Sequence, residues 1–220
     1  MERIKIKPNF TTTQEKAFEY LFDNTTNEIL FGGGAGGGKT YLGVSWLIII
    51  CVKYSGIRCL MGRSKLDNLK KTTLYSFYEV CQKWGLIANK HYKFNGSSNI
   101  ITFFNGSEII LKDLFHYPSD PNYDSLGSLE ISAAFLDEAS EIQEKAKQIV
   151  SSRIRYRLDE YDMIPKILMT CNPAKNWVYT EFYRRHRDNT LPDYRKFIQS
   201  LVQDNEYISK HYKGQLERLH

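Results

Sequence analysis

Hydrophobic and polar positions change period repeatedly along the chain, and the changes mark out its elements. Residues 11–24 carry Ala17, Phe18, Leu21 and Phe22 at helical spacing, with Thr12 or Thr13 as the expected cap. A short apolar run at 28–31 reads as a buried strand that enters a glycine-rich stretch. A strongly apolar helix is expected over 41–54, stopping near Gly56, followed by a strand at 57–61 and a helix over 67–84. Two further runs, 100–104 and 107–111, flank Asn105-Gly106, a pair that supplies the positive φ angles of a two-residue hairpin turn. After a loop at 117–127 come a strand at 133–137, a helix from about 141 to 155, and a strand at 166–170 halted by Asn172-Pro173. A helix near 177–186 and a strand near 197–201 complete the pattern.

Strands alternating with helices predict an α/β fold: a mainly parallel central sheet flanked by helices, with an added antiparallel β-hairpin. Ligands of such sheets gather at the carboxyl ends of the strands. Three polar motifs fall at those ends.

The first is GGAGGGKT, residues 33–40, a Gly-x4-Gly-Lys-Thr phosphate loop between a strand and a helix. Glycines let backbone N–H groups approach phosphate oxygens that a Cβ would keep away. In this pattern Lys39 reaches the β- and γ-phosphates, the Thr40 hydroxyl ligates Mg²⁺, and the helix from Tyr41 aims its positive end at the anion. The overlapping Gly-x-Gly-x-x-Gly match, at Gly32, Gly34 and Gly37, is trivial among so many glycines, and Gly38-Lys39-Thr40 decides for the phosphate loop. The second motif is Asp137-Glu138, closing an apolar strand. Beside a phosphate loop, Asp137 is placed to hold the Mg²⁺ shell and Glu138 to orient or deprotonate an attacking water; the plain alternative is an acidic first turn of the next helix. The third is Thr170-Cys171-Asn172-Pro173, where Asn172 is expected to contact the γ-phosphate or the attacking water, unless Asn-Pro is only a turn. Gln14 is either a reader of the adenine edge or an exposed helix residue.

Composition narrows the setting. The 220 residues, 42% hydrophobic and 25% charged, fit one globular domain over 1–220 with a helical lead-in at 1–27. Thirty basic residues against 25 acidic ones leave a net charge of +5, compatible with a nucleic-acid partner, although the clusters at 65–71, 153–157 and 184–187 also read as solvated helix faces. Cys51, Cys59, Cys81 and Cys171 are scattered without metal-site spacing, as expected of reduced intracellular thiols. Residues 1–5 lack a signal-peptide core, and the longest apolar run, 46–52, is about a third of a membrane span. No membrane partner is expected.

These motifs together resemble the ATPase half of the large terminase subunit of tailed bacteriophages. The features that carry the resemblance are Phe10-Thr11-x-x-Gln14, the phosphate loop, the run from Phe135 through Asp137-Glu138 to Ala139, and Thr170-x-Asn172-Pro173, with Ser125-Leu126-Gly127-Ser128 and Arg153-x-Arg155 in support. It spans about residues 10–205. It implies a P-loop NTPase of the ASCE type with ATP and Mg²⁺ as cofactors. The implied nucleotide site is Gln14 near adenine, then Gly33, Gly34, Ala35, Gly36, Gly37, Gly38, Lys39, Thr40 and Tyr41; Thr40 and Asp137 would hold the metal. Lys39, Glu138, Thr170 and Asn172 would be catalytic, the last two linking hydrolysis to movement. It further implies double-stranded DNA, a portal protein and a small terminase subunit as partners, a homo-oligomeric ring when active, a monomer in isolation, and the host cytoplasm as location. A helicase-like or recombination ATPase and an ATP-binding scaffold module are the alternatives.

Two departures from the family pattern stand out. No arginine lies in the phosphate loop, and Leu126 occupies a position where one is often expected, so the arginine finger is unassigned among Arg63, Arg153 and Arg155. The chain also reaches His220 without the family's nuclease domain, so either an excised ATPase domain, the favoured expectation, or a nuclease on a separate chain is expected, with no nuclease activity from this chain alone.

Overall fold

The computed structural model describes residues 6–218; the first five residues, read above for a leader, lie outside the described ones. Among the described residues, eight strands form a single sheet in the order β3-β4-β5-β2-β6-β7-β1-β8: β1 Glu28–Gly32, β2 Arg58–Arg63, β3 Tyr92–Asn95, β4 Ile100–Phe103, β5 Glu108–Asp113, β6 Ala133–Leu136, β7 Ile167–Cys171 and β8 Arg195–Gln199. The six strands from β5 to β8 pair in parallel, while β3 and β4 add antiparallel at the β5 edge.

The apolar runs are continuous because the central strands are covered on both faces. Ile29, Phe31, Cys59, Met61, Phe135 and Leu168 point into one core, beneath α1 (Thr12–Phe22), α2 (Lys39–Lys53) and α4 (Thr73–Lys83). Leu30, Leu60, Ala134, Leu136, Ile167 and Met169 point into the other, with α5 (Glu144–Ser152) and the stretch after Pro173. The alternation follows from the two-residue period of a strand.

Several boundaries differ from expectation, each for a local reason. The cap of α1 is Thr11, not Thr12 or Thr13: its hydroxyl accepts from the Gln14 N–H while the Gln14 carboxamide accepts from the Thr11 N–H, a reciprocal capping box. The expected helix over 67–84 breaks at Thr72 into α3 (Leu66–Lys71) and α4, where the Thr72 hydroxyl donates back to the Asn68 carbonyl at 2.7 Å. The hairpin turn has three residues rather than two. Phe103 pairs with Ser107, and only Gly106 takes positive φ (80°), while the Asn105 side chain ties the turn to α2 through the Cys51 carbonyl at 2.8 Å. Strand β3 is an addition, and its partner hairpin is fused to the main sheet through β5. The helix expected near 177–186 is wound as a π-helix over Tyr179–Arg184, continuing into α6 (Arg185–Arg187).

Helix α2 lies close against β6. A Cβ added at Gly43 would overlap the ring of the fully buried Phe135. Gly43→Ala should therefore destabilise the fold by about 1–3 kcal/mol, the ordinary cost of overpacking, measured by urea unfolding.

Candidate active site

The parallel register brings three distant motifs to one edge. Gly32 ends β1 opposite Cys171 of β7, and Met169 of β7 pairs with Leu136 of β6. The loop after β1, Asp137-Glu138 after β6 and Asn172 after β7 are therefore neighbours at the carboxyl ends. The loop opens with Gly33 N–H donating to the Cys171 carbonyl at 3.1 Å, and Gly38, in the left-handed region (φ 71°), turns it into α2.

Lys39 is 8% exposed, and its ammonium is surrounded by oxygens: Gly33 O at 3.0 Å, Gly34 O at 2.7 Å and Asn172 Oδ1 at 3.0 Å. Burial lowers its pKa, and the charges of Glu138 and Asp137 pull in the opposite direction. Such a cation at the centre of a loop is a seat for an anion.

Asp137 is 2% exposed and serves as the hub of a hydroxyl cluster. Thr170 Oγ1 donates to Oδ1 and Thr73 Oγ1 to Oδ2, each at 2.7 Å, and Thr40 Oγ1 approaches Oδ1 at 3.3 Å. Thr40 and Asp137 are hard oxygen donors side by side, a donor set that suits Mg²⁺ shared with phosphate oxygens.

Glu138 follows in the left-handed conformation (φ 52°, ψ 53°), which turns it towards β7. There the Asn172 backbone N–H and side-chain Nδ2 both donate to it at 3.4 Å. Burial raises its pKa, the Asp137 charge adds to this, and Lys39, the Asn172 N–H and Arg63 oppose it. A carboxylate whose pKa is raised in this way is a suitable proton acceptor.

The structure brings Lys39, Thr40, Asp137, Glu138, Thr170 and Asn172 together. Arg63, at the end of β2, is also at this edge, with Nη1 donating to Thr72 Oγ1 at 2.6 Å and Nε 3.7 Å from Glu141. Arg153 and Arg155 are not at this edge. Their backbones pair with Ile131 ahead of β6, at the opposite edge of the sheet, and Arg155 faces Glu130. Leu126 is buried in the core. Gln14 is beside the loop but buried rather than exposed, and its carboxamide is engaged within the chain, on the Thr11 N–H and on the Gly38 carbonyl at 2.8 Å. It borders a pocket of about 470 Å³ with Tyr41, Trp84 and Asn205. Thr73 was not singled out in the sequence; no local motif marks it, because its partner lies 64 residues away.

The sequence profile of the family described as phage terminase large subunit matches residues 24–220. The chain is similar in structure to the large terminase from a thermophilic bacteriophage, with a TM-score of 0.73 at 16% identity over 97% of this chain and 51% of that one. Against the ADP complex of the same protein the values are 0.72 and 16%, over 96% and 50%. The N-terminal domain of the DNA packaging ATPase from bacteriophage phi29 gives 0.56 at 16% identity, over 88% of this chain and 97% of that one. The chain thus spans about half the length of the thermophilic-phage terminase and has the fold of a large terminase ATPase domain. No curated protein matches it in sequence.

Thr73→Val should cost about 1–3 kcal/mol in urea unfolding, because it leaves a buried carboxylate oxygen short of a donor. Thr73→Ser should stay close to the parent protein in the same measurement.

Proposed function

The chain belongs to the phage terminase large-subunit family, and from that premise we propose that it is an ATP-hydrolysing motor domain that couples hydrolysis to movement of double-stranded DNA into a procapsid. One observation carries the reading: Lys39, Asn172 and Glu138 form a single connected network. A phosphate arriving at Lys39 competes with the Asn172 carboxamide, and that carboxamide also holds Glu138. Nucleotide arrival at Lys39 and the hold of the Asn172 carboxamide on Glu138 are thereby linked.

In this reading, residues 33–40 and Tyr41 receive the polyphosphate, with Lys39 on the β- and γ-phosphates. Thr40 and Asp137 hold Mg²⁺, which when bound neutralises phosphate charge. Glu138 takes the proton of the attacking water, with Asn172 beside it to orient that water. Thr170 fixes Asp137 from the strand that Asn172 directly follows, so the ends of β6 and β7 both answer to the γ-phosphate. Among the three candidate arginines, Arg63 is the one at its own chain's site; Arg153 and Arg155, at the far edge, would serve only a neighbour in a ring. The ADP complex of the thermophilic-phage terminase and the packaging role of the phi29 protein support nucleotide and DNA as ligands of this chain. The portal and small terminase subunit as partners and residues 1–220 as one ATPase domain belong to the same proposal. No helix among the described residues is long and apolar enough to cross a membrane.

In the assembled motor, Glu138→Gln should still bind fluorescent ATP but hydrolyse it at least about a hundredfold more slowly; undiminished turnover would remove Glu138 from its role. Because burial raises the Glu138 pKa, its base form is lost at a higher pH than for an ordinary glutamate. Single-turnover hydrolysis in the parent motor should accordingly fall on the acid side above the normal glutamate range of about 4.3.

A further inference from the structure

The phosphate-loop pattern requires glycine at 33 and 38, yet this chain also has glycine at 34, 36 and 37. The structure gives a reason for Gly36 and Gly37. Three consecutive carbonyls in the second half of the loop each accept a hydrogen bond from a side chain outside it. Asn205 Nδ2 donates to Gly36 O at 2.6 Å, Ser200 Oγ to Gly37 O at 2.7 Å, and Gln14 Nε2 to Gly38 O at 2.8 Å. The donors come from α1 and from the segment just after β8, and all three are buried.

A trans peptide is planar, so its C=O and the next N–H point in opposite directions. Holding the carbonyls of Gly36, Gly37 and Gly38 on the back of the loop therefore turns the N–H groups of Gly37, Gly38 and Lys39 to the other side. The carbonyls of Gly33 and Gly34 do the reverse and face the Lys39 ammonium. The two halves of the loop thus present opposite polarity, and the second half presents donors.

The glycines and their donors are matched in space. A Cβ at Gly37 would lie 2.6 Å from Ser200 Oγ, and one at Gly38 would lie 2.5 Å from Gln14 Nε2. A Cβ at Gly36 would meet Ile208 at 2.7 Å, and Val202 at 3.2 Å, both in the segment that carries Asn205. Ser200 is itself anchored by its N–H on the Gly32 carbonyl at 2.8 Å, which fixes its backbone beside the start of the loop.

We propose that Gln14, Ser200 and Asn205 form a clamp behind the phosphate loop, positioning residues that orient three successive N–H groups towards the β-phosphate of a bound nucleoside di- or triphosphate. The proposal rests on the nucleotide-binding reading of the loop. It gives Gln14 a role through the backbone rather than through the adenine base, and it makes the chain after β8 part of the site.

Binding of ADP and of AMP, each with Mg²⁺, to the full chain separates the outcomes. Ser200→Ala and Asn205→Asp, the latter isosteric but without the donor, should each weaken ADP by about fivefold, the worth of one hydrogen bond, and leave AMP within about twofold. Ser200→Thr, which keeps the hydroxyl, should bind ADP like the parent. A clamp that only stabilised the fold would weaken ADP and AMP alike, and that result overturns the proposal. Asn205→Ala replaces the aspartate variant if it does not fold. Lys39→Ala serves as the reference: if it loses ADP while Ser200→Ala and Asn205→Asp bind normally, the clamp is wrong and the loop reading stands. If Lys39→Ala also binds ADP normally, both fall.

Discussion

A buried ammonium needs oxygens around it, and much of this site is arranged to supply them to Lys39. They come from two loop carbonyls and the Asn172 carboxamide. These dipoles compensate a charge that would otherwise be costly to bury. They also stand where an anion would approach the ammonium, so a phosphate that enters must compete with them. The same requirement connects β1 to β7, because one of the three oxygens belongs to the residue after the neighbouring strand. Electrostatics of one side chain thus bear on both the first half of the loop and its link to the adjacent motif.

The parallel sheet makes this arrangement possible. Residues 39, 137 and 172 are far apart in sequence, yet β6, β7 and β1 are consecutive in the sheet and end at one level. Asp137 uses that level to gather hydroxyls from three elements, α2, α4 and β7. Lys39, Asp137 and Glu138 therefore meet at the carboxyl edge. The amino edge is held differently, by the Lys147–Glu28 and Arg195–Glu28 pairs and the Arg195–Glu181 pair, which tie α5, β1, β8 and the π-helical stretch.

How much of this was legible in the sequence follows from the range of each interaction. The phosphate loop, the buried strands and Asp137-Glu138 are local patterns, and they could be read because composition and period act over a few residues. The Phe10-Thr11-x-x-Gln14 lead-in was visible as a motif, but its meaning was not. It is a capping box whose glutamine also reaches Gly38, 24 residues away. Ser200 and Asn205 had no signature, since their partners are 163 and 169 residues distant and the hydroxyl and amide involved are common surface groups. Strand β3 escaped because four residues with Lys93 and Asn95 outward look like loop until β4 is beside them. The break at Thr72 was hidden in a pattern whose apolar spacing runs through it unchanged.

Glu138 adopts a backbone conformation that residues with a Cβ occupy only at a cost of about 1–2 kcal/mol. A glycine at that position would relieve the cost, and an asparagine would reduce it. Neither would carry a carboxylate to the end of β7. The backbone at 138 therefore favours a residue other than the one encoded: variants sorted only for the ease of this turn would drift away from glutamate. The residue's persistence in a working protein would have to be maintained against the fold's own preference.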